Sequence, residues 1–368
     1  MNTTSSLDLD RLVRGPIFFE PNRVSRTYKG GKLLASMRGL LEEDGDRPEE
    51  WIASTVRAKN VGGPSIVEGL SRIEGSGILF EDLVRLRGAE LLGGRSDLGL
   101  LVKFIDSSIR LPAQVHPDKA FAREWFGSLN GKTEMWIILA TRPGANLFIG
   151  FKEGVRRETL SSAIDASEAR RDALLELLNE APARPGDAWL IPGRMAHAIG
   201  AGCLVLEIQE PTDFTIRPEA WSGDRRLSEI EKYAGLGREA ALECFDFGGL
   251  AGHRAIDECL IKPAPIINAR PGCRGECLLD RASFPDFGAN RYELRPGTRL
   301  ELLGGPSIVV ATRGSGDLTW DAGSRDLSRG DYFFLPRAAG SATVDAREGL
   351  ALVECLPPLP AAAFGSLP

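Results

Sequence analysis

Apolar residues along this chain gather into many short runs punctuated by glycine and proline. LGLLVKFID at 98–106, TEMWIILA at 133–140, ANLFIGF at 145–151, DAWLIP at 187–192 and CLVLEIQ at 203–209 all read as strands. The turn signals Arg142-Pro143-Gly144 and Arg184-Pro185-Gly186 separate them. Helical spacing is clearest over 161–180, where Ala163, Ile164, Leu174, Leu175 and Leu178 recur on one face and Ser161 offers a cap. A second helical stretch is predicted over 227–244, where charges alternate with apolar residues. Beyond it the strand-and-turn texture returns and runs to the C-terminus. The pattern predicts a mostly β architecture with helices inserted, as in sandwiches and small barrels.

An internal repeat argues for two β domains. Gly186-Asp187 precedes an apolar run ending at Pro192, and Gly330-Asp331 precedes Tyr332, Phe333, Phe334 and Leu335, ending at Pro336 with the same spacing. The copies differ in chemistry. Five residues after Pro192 stands His197, whereas five after Pro336 stands Ser341, so one copy offers a metal ligand there and the other does not. The division expected is 1–250, carrying the metal site and a helical insertion near 156–180, and 251–368 without one. The second unit is expected to pack on the first and close the rim of its pocket.

Composition narrows the function. With 368 residues the chain is long enough for two cores, and 43% hydrophobic with 26% charged residues is an ordinary soluble balance. A formal net charge of −6 argues against nucleic-acid binding, which needs a basic surface. An anionic small molecule remains compatible, because a few local Lys and Arg residues decide that. The opening MNTTSSLDLDRLVRG lacks the apolar core of a signal peptide, and no run approaches a bilayer span. The six cysteines are scattered and do not read as a disulfide framework, so the cytoplasm is the expected location.

The three histidines carry the chemistry. His116 lies in Ala113-Gln114-Val115-His116-Pro117; in extended chain, Gln114 and His116 share a face. Lys132 and Glu134 share a face in the same way as they lead into an apolar strand, where both are costly unless partnered. His197 precedes another apolar strand. Together Gln114, His116, Glu134 and His197 offer two imidazoles, a carboxylate and an amide oxygen, a set suited to Zn2+, Mn2+ or Fe2+ with positions left for substrate. The remaining features read as structural: Cys273 and Cys277 as two free thiols in a loop, His253 as a surface or boundary histidine, Arg170-Arg171 and Arg225-Arg226 as solvated faces.

The runs Gln114-Val115-His116-Pro117-Asp118, Gly131-Lys132-Thr133-Glu134 and Ile191-Pro192 through His197-Ala198-Ile199-Gly200 resemble the signatures of type I mannose-6-phosphate isomerases. The ordered resemblance covers roughly 49–217, well beyond any single motif. It implies two cupin-like β-barrels of jelly-roll type and a single zinc ion per chain held by Gln114, His116, Glu134 and His197. It also implies Lys132 and Arg217, the latter in Thr212-Asp213-Phe214-Thr215-Ile216-Arg217, as catalytic residues. Lys103 and the Glu49-Glu50-Trp51 element, with Glu49 and Trp51, would bind substrate. The implied partner is a small sugar phosphate, with neither nucleic acid nor membrane, in a monomer or homodimer. The chain departs from the family pattern at three places. Pro112 stands where a phosphate-gripping Ser is usual, Thr55-Val56 replaces a His-Pro, and Pro218-Glu219-Ala220-Trp221 follows Arg217. None touches the metal set.

The chemistry expected is aldose–ketose isomerisation of mannose 6-phosphate and fructose 6-phosphate through a cis-enediol, with Glu49, Lys132, Glu207 and Asp213 all candidates for the base. An isomerase of another sugar and a sugar-binding bicupin without turnover are the alternatives. A third is an iron oxygenase, which the Gln ligand and the Lys two residues before Glu134 oppose.

Overall fold

In the computed structural model, residues 6–61, 65–266 and 271–359 are described. The first unit contributes β1 (Arg23–Val24), β2 (Glu49–Ile52), β3 (Leu101–Ser107), β4 (Glu134–Thr141), β5 (Asn146–Phe151), β6 (Leu178–Pro182), β7 (Ala188–Ile191), β8 (His197–Ile199) and β9 (Cys203–Gln209). They form a six-stranded sheet, β1-β2-β3-β9-β4-β7, and a three-stranded sheet, β6-β5-β8. A hairpin of β10 (Trp221–Ser222) and β11 (Arg225–Arg226) follows. The second unit adds β12 (Ala264–Pro265), β13 (Cys273–Leu279), β14 (Gly288–Leu294), β15 (Arg299–Leu303), β16 (Ser307–Trp320), β17 (Gly323–Ser328), β18 (Tyr332–Leu335) and β19 (Ser341–Leu356) in one sheet. Every pairing between the named strands is antiparallel, and the mostly β expectation holds.

The six-stranded sheet is covered on both faces, so β3 and β9 are buried along their whole length and read as mostly apolar, not as alternating in and out. On one face Val102, Phe104, Leu206, Ile208, Met135 and Ile137 pack in a common core with Ile308, Val310, Phe334 and Val353 of the second sheet. On the other, Ile105, Val205, Trp136 and Ile138 pack with Leu147, Ile149 and Ile199 of the three-stranded sheet. Burying each large apolar side chain contributes roughly 1.5–3 kcal/mol, so this double cover holds the sheet rigidly. The second face also carries the polar interruptions. Lys103 pairs in register with Glu207, Glu207 with Trp136, and Glu134 with Gln209. Directly opposed residues in antiparallel strands project to one side, so these charges gather at one end of that face.

The repeat is real in local structure: Gly186 and Gly330 both take left-handed backbone, at φ 96° and 94°, ahead of β7 and β18. Ser341 is exposed at the start of β19. The helices differ from the expectation. The one predicted over 161–180 runs from Arg157 to Ala166 and stops where the Ser167 hydroxyl donates back to the Ile164 carbonyl, at 2.6 Å. Leu174 and Leu175 reach the same core as Ala163 and Ile164 from a separate turn, and Leu178 from β6, so the apolar spacing continued past the end of the helix. The stretch 227–244 divides into helices Glu229–Tyr233 and Arg238–Leu242, broken by left-handed Ala234, Gly235 and Gly237. Cys273 and Cys277 lie on β13 rather than in a loop, and all six cysteines are free. The helix His253–Cys259 stays on the first unit, where the Ile261 N–H donates to the Ala188 carbonyl, at 2.9 Å. No described helix is long and apolar enough to cross a membrane.

Candidate active site

His116, Glu134 and His197 converge, each buried, with their ligating atoms within 4.8 Å of one another. Backbone carbonyls set the tautomers. Nδ1 of His116 lies 2.8 Å from the Phe214 carbonyl, and Nδ1 of His197 lies 2.8 Å from the Met195 carbonyl. A carbonyl only accepts, so each Nδ1 carries the proton and each Nε2 presents its lone pair. Both Nε2 atoms point at Glu134, 3.2 Å from its Oε2 and Oε1 respectively. The Gln114 amide end lies 3.3 Å from His197 Nε2. The Trp136 indole donates to Glu134 Oε1 at 3.0 Å.

The Lys132 ammonium lies 2.9 Å from Glu134 Oε2 and 2.7 Å from His116 Nε2, so a positive charge is stable among these donors. Burial pushes the Glu134 carboxyl up, yet Lys132 and His116 outweigh it and hold the group well below the usual carboxylate range. Burial and the Lys132 charge push His116 down to about 3. An ionised carboxylate and neutral imidazoles are the states that a divalent ion requires, so the donor set fits one. In metal-stripped protein this has a pH signature. A histidine held neutral in the fold binds fewer protons than its unfolded counterpart between pH 6.5 and about 3. Stability is therefore full above 6.5 and declines as pH falls through that window. Denaturant midpoints of wild type and His116→Gln from pH 7 to 4 should show the wild type losing more.

Above this floor opens a cavity of about 310 Å³. Its walls pair cations with carboxylates. Arg26 bonds Glu49 Oε1 at 2.8 Å and grips both oxygens of Asp213 at 3.2 and 3.3 Å. The Tyr28 hydroxyl and the Trp51 indole donate to the two oxygens of Glu49, at 2.5 and 2.7 Å. Lys103 meets Glu207 Oε2 at 2.7 Å. These pairings sort the carboxyls. Burial raises Glu49 and Asp213, but Arg26 outweighs it and both end up lowered. Glu207 is raised, by burial and then by the charge of Glu134, which makes it the site's readiest proton carrier. The Arg217 Nε donates to the Glu231 carbonyl at 3.3 Å, and its guanidinium faces the cavity.

The structure thus brings together Gln114, His116, Lys132, Glu134 and His197 at the floor, with Lys103, Glu49 and Arg217 on the walls. Trp51 does not line the cavity; it is fully buried and acts from behind by holding Glu49. Lys103 and Arg26 lie over its ring, at 5.3 and 5.2 Å. The rim is also not where it was expected. All described lining residues come from before residue 250: the 59–61 segment, Phe126, the 213–217 segment and the helix Glu229–Tyr233 close the mouth. The second sheet instead braces the back, with the Tyr332 hydroxyl donating to Glu50 at 2.7 Å. Arg26, Tyr28 and Lys59 went unforeseen. Arg26 and Tyr28 stand two apart and so share a face in extended chain, the one local signal they offered.

Fold and floor together define an antiparallel β enzyme with a buried His–Glu–His cluster able to hold a metal ion beside a polar, substrate-sized cavity. No family model matches the chain. It is 30% identical to the mannose-6-phosphate isomerase of Streptococcus mutans over 243 residues, 66% of this chain and 69% of that protein. It is 32% identical to mannose-6-phosphate isomerase ManA of Bacillus subtilis over 215 residues, 58% of this chain and 63% of that one. The solved structure of the mannose 6-phosphate isomerase from Bacillus subtilis superposes with a TM-score of 0.72 at 23% identity, covering 93% of this chain and 99% of that one. The chain belongs to the mannose-6-phosphate isomerase family.

Proposed function

We propose that this enzyme interconverts mannose 6-phosphate and fructose 6-phosphate, with the catalytic unit running through the helix His253–Cys259 and the sheet that begins at Ala264 as its support. The observation that carries the reading is the convergence of two carbonyl-oriented imidazoles on Glu134 under a cavity lined with cations. His116, Glu134, His197 and the amide oxygen of Gln114 would hold a divalent ion, zinc first and manganese or iron as alternatives, whose chemistry is Lewis-acid polarisation of a substrate oxygen.

The chain's own residues account for the rest. Isomerisation is redox-neutral: a carbon-bound proton leaves C2 and a proton is added at C1, while the hydroxyl proton on O2 is lost and one is gained on O1. Glu207, its carboxyl raised by burial, is placed to take and return the carbon proton, with Lys103 holding its second oxygen. The fixed positive charge of Arg217 favours the enediolate as charge develops. Lys132 donates toward the floor and orients hydroxyls there, while Glu49, pinned by Arg26, Tyr28 and Trp51, accepts from sugar hydroxyls.

The test is isomerisation of mannose 6-phosphate beside free mannose, using metal-stripped protein and protein reloaded with zinc or manganese. Turnover of the ester should vanish on stripping and return on reloading. Turnover of free mannose alone, or none with metal bound, overturns the assignment. Oxygen uptake with iron would place the chain with the oxygenases instead.

A further inference from the structure

We propose that Lys59, at the mouth of the cavity, recognises the phosphate of the sugar ester; the proposal rests on the isomerase reading above. The charges lining the cavity lead to it. Arg26 is paired with Glu49 and Asp213, Lys103 with Glu207, and Lys132 with Glu134 below. Glu231 is paired with Arg225, at 2.6 Å. Among the described residues, Lys59 and Arg217 are the lining cations without an ion-pair partner. A phosphate dianion binds where positive charge is not already neutralised. Burial and the nearby Arg26 lower Arg217 from its ordinary value, with Asp213 and Glu231 acting against them.

Position separates the two cations. The reacting carbons must lie at the floor, so the phosphate, on the far end of the sugar, must lie toward the mouth. Arg217 is half-buried and serves the reacting end. Lys59 is exposed beside Asn60 and Val61 at the rim. Its reach is restricted, because its backbone N–H donates to Asp213 Oδ2 at 2.8 Å and its ammonium sits 4.9 Å from the centroid of the Phe214 ring. Phe214 is itself fixed, stacked on Phe126 at 4.3 Å, and its carbonyl holds His116. One residue therefore ties the mouth cation to the imidazole at the floor. A cation parked on an aromatic face is held weakly enough to transfer to a phosphate.

The test uses the full metal-loaded chain with Lys59→Met, which keeps the apolar stem over Phe214, and Lys59→Arg. For K59M the KM for mannose 6-phosphate should rise about tenfold or more, with kcat within about threefold, because the lost contact is made equally before and during reaction. The preference for the ester over free mannose should fall by the same factor, and K59R should restore most of it. Calorimetric binding of mannose 6-phosphate to wild type and K59M gives a second readout. Turnover of the ester by wild type with an unchanged KM and affinity in K59M overturns the proposal and leaves the isomerase reading intact. Binding that depends on Lys59 without turnover by wild type does the reverse. Wild type that neither binds nor converts the ester overturns both.

Discussion

Glu134→Gln is expected to abolish tight binding of a divalent ion and to lower isomerisation by roughly 10³-fold, the scale of losing a central electrostatic contact in a dry site. The substitution is nearly isosteric, so the loss is one of charge and not of packing. Glu134 is fully buried, with one oxygen facing each imidazole and Lys132 sharing the second. A neutral amide cannot balance an ion among two neutral imidazoles, and it leaves the buried Lys132 ammonium without its carboxylate. That uncompensated charge should cost about 3–5 kcal/mol of stability in metal-free protein. Zinc titration by calorimetry, chemical denaturation and the isomerase assay each report one of these losses. Stoichiometric tight binding of zinc by E134Q would remove this carboxylate from the metal set.

Arg26→Met should destabilise the protein by about 3–5 kcal/mol at neutral pH, because it strands two buried carboxylates at once. Arg26 is itself largely sealed from water and gives Glu49 one bond, Asp213 two and Asn60 another at 3.0 Å. The loss should depend on pH, and its sign follows from the shifts. Glu49 and Asp213 are both lowered in the fold from their ordinary values of 4.5 and 3.8, so the stability they contribute is present above those values and is lost as pH falls below them. In R26M the largest contribution to that depression is gone, leaving the weaker pull of Lys103 on both. The gap between wild type and variant should therefore be full at pH 7 and narrow below about 4.5. Denaturant midpoints across that range check it, and a gap that does not vary with pH would mean Arg26 acts through packing alone. Arg26→Lys should recover only part, since an ammonium cannot grip Asp213 with two parallel bonds.

The buried His116–Glu134–His197 cluster was legible because its members stand in short, locally patterned segments. Gln114 and His116 are two apart, Lys132 and Glu134 are two apart, and His197 follows a turn and strand whose spacing recurs at Gly330–Pro336. Period-two geometry is local, so it can be read before any tertiary contact is known. Trp51 shows the limit: the Glu49-Glu50-Trp51 element was visible and Glu49 and Trp51 share a face of β2, but only tertiary packing put Trp51 behind the Glu49 carboxylate, among Val24 and Leu101, and not against the cavity. The helix expected over 161–180 failed for a related reason. Burial of Leu174, Leu175 and Leu178 in the core that also holds Ile164 kept helical spacing alive after the helix had ended at Ala166.

From its sequence alone the chain determined a mostly antiparallel β fold, a family, and the identity of the side chains able to hold a metal ion, because strand patterning and spaced motifs are short-range properties. The tertiary structure decided how the carboxyls divide their work. Arg26 and Asp213 are separated by 187 positions, yet Arg26 lowers both Asp213 and Glu49, while burial and the charge of Glu134 raise Glu207. It also decided that the mouth is closed by the 59–61 segment and the helix Glu229–Tyr233, not by the second sheet. Charge compensation and burial are sums over neighbours from distant parts of the chain, and only the folded arrangement sets which neighbours those are.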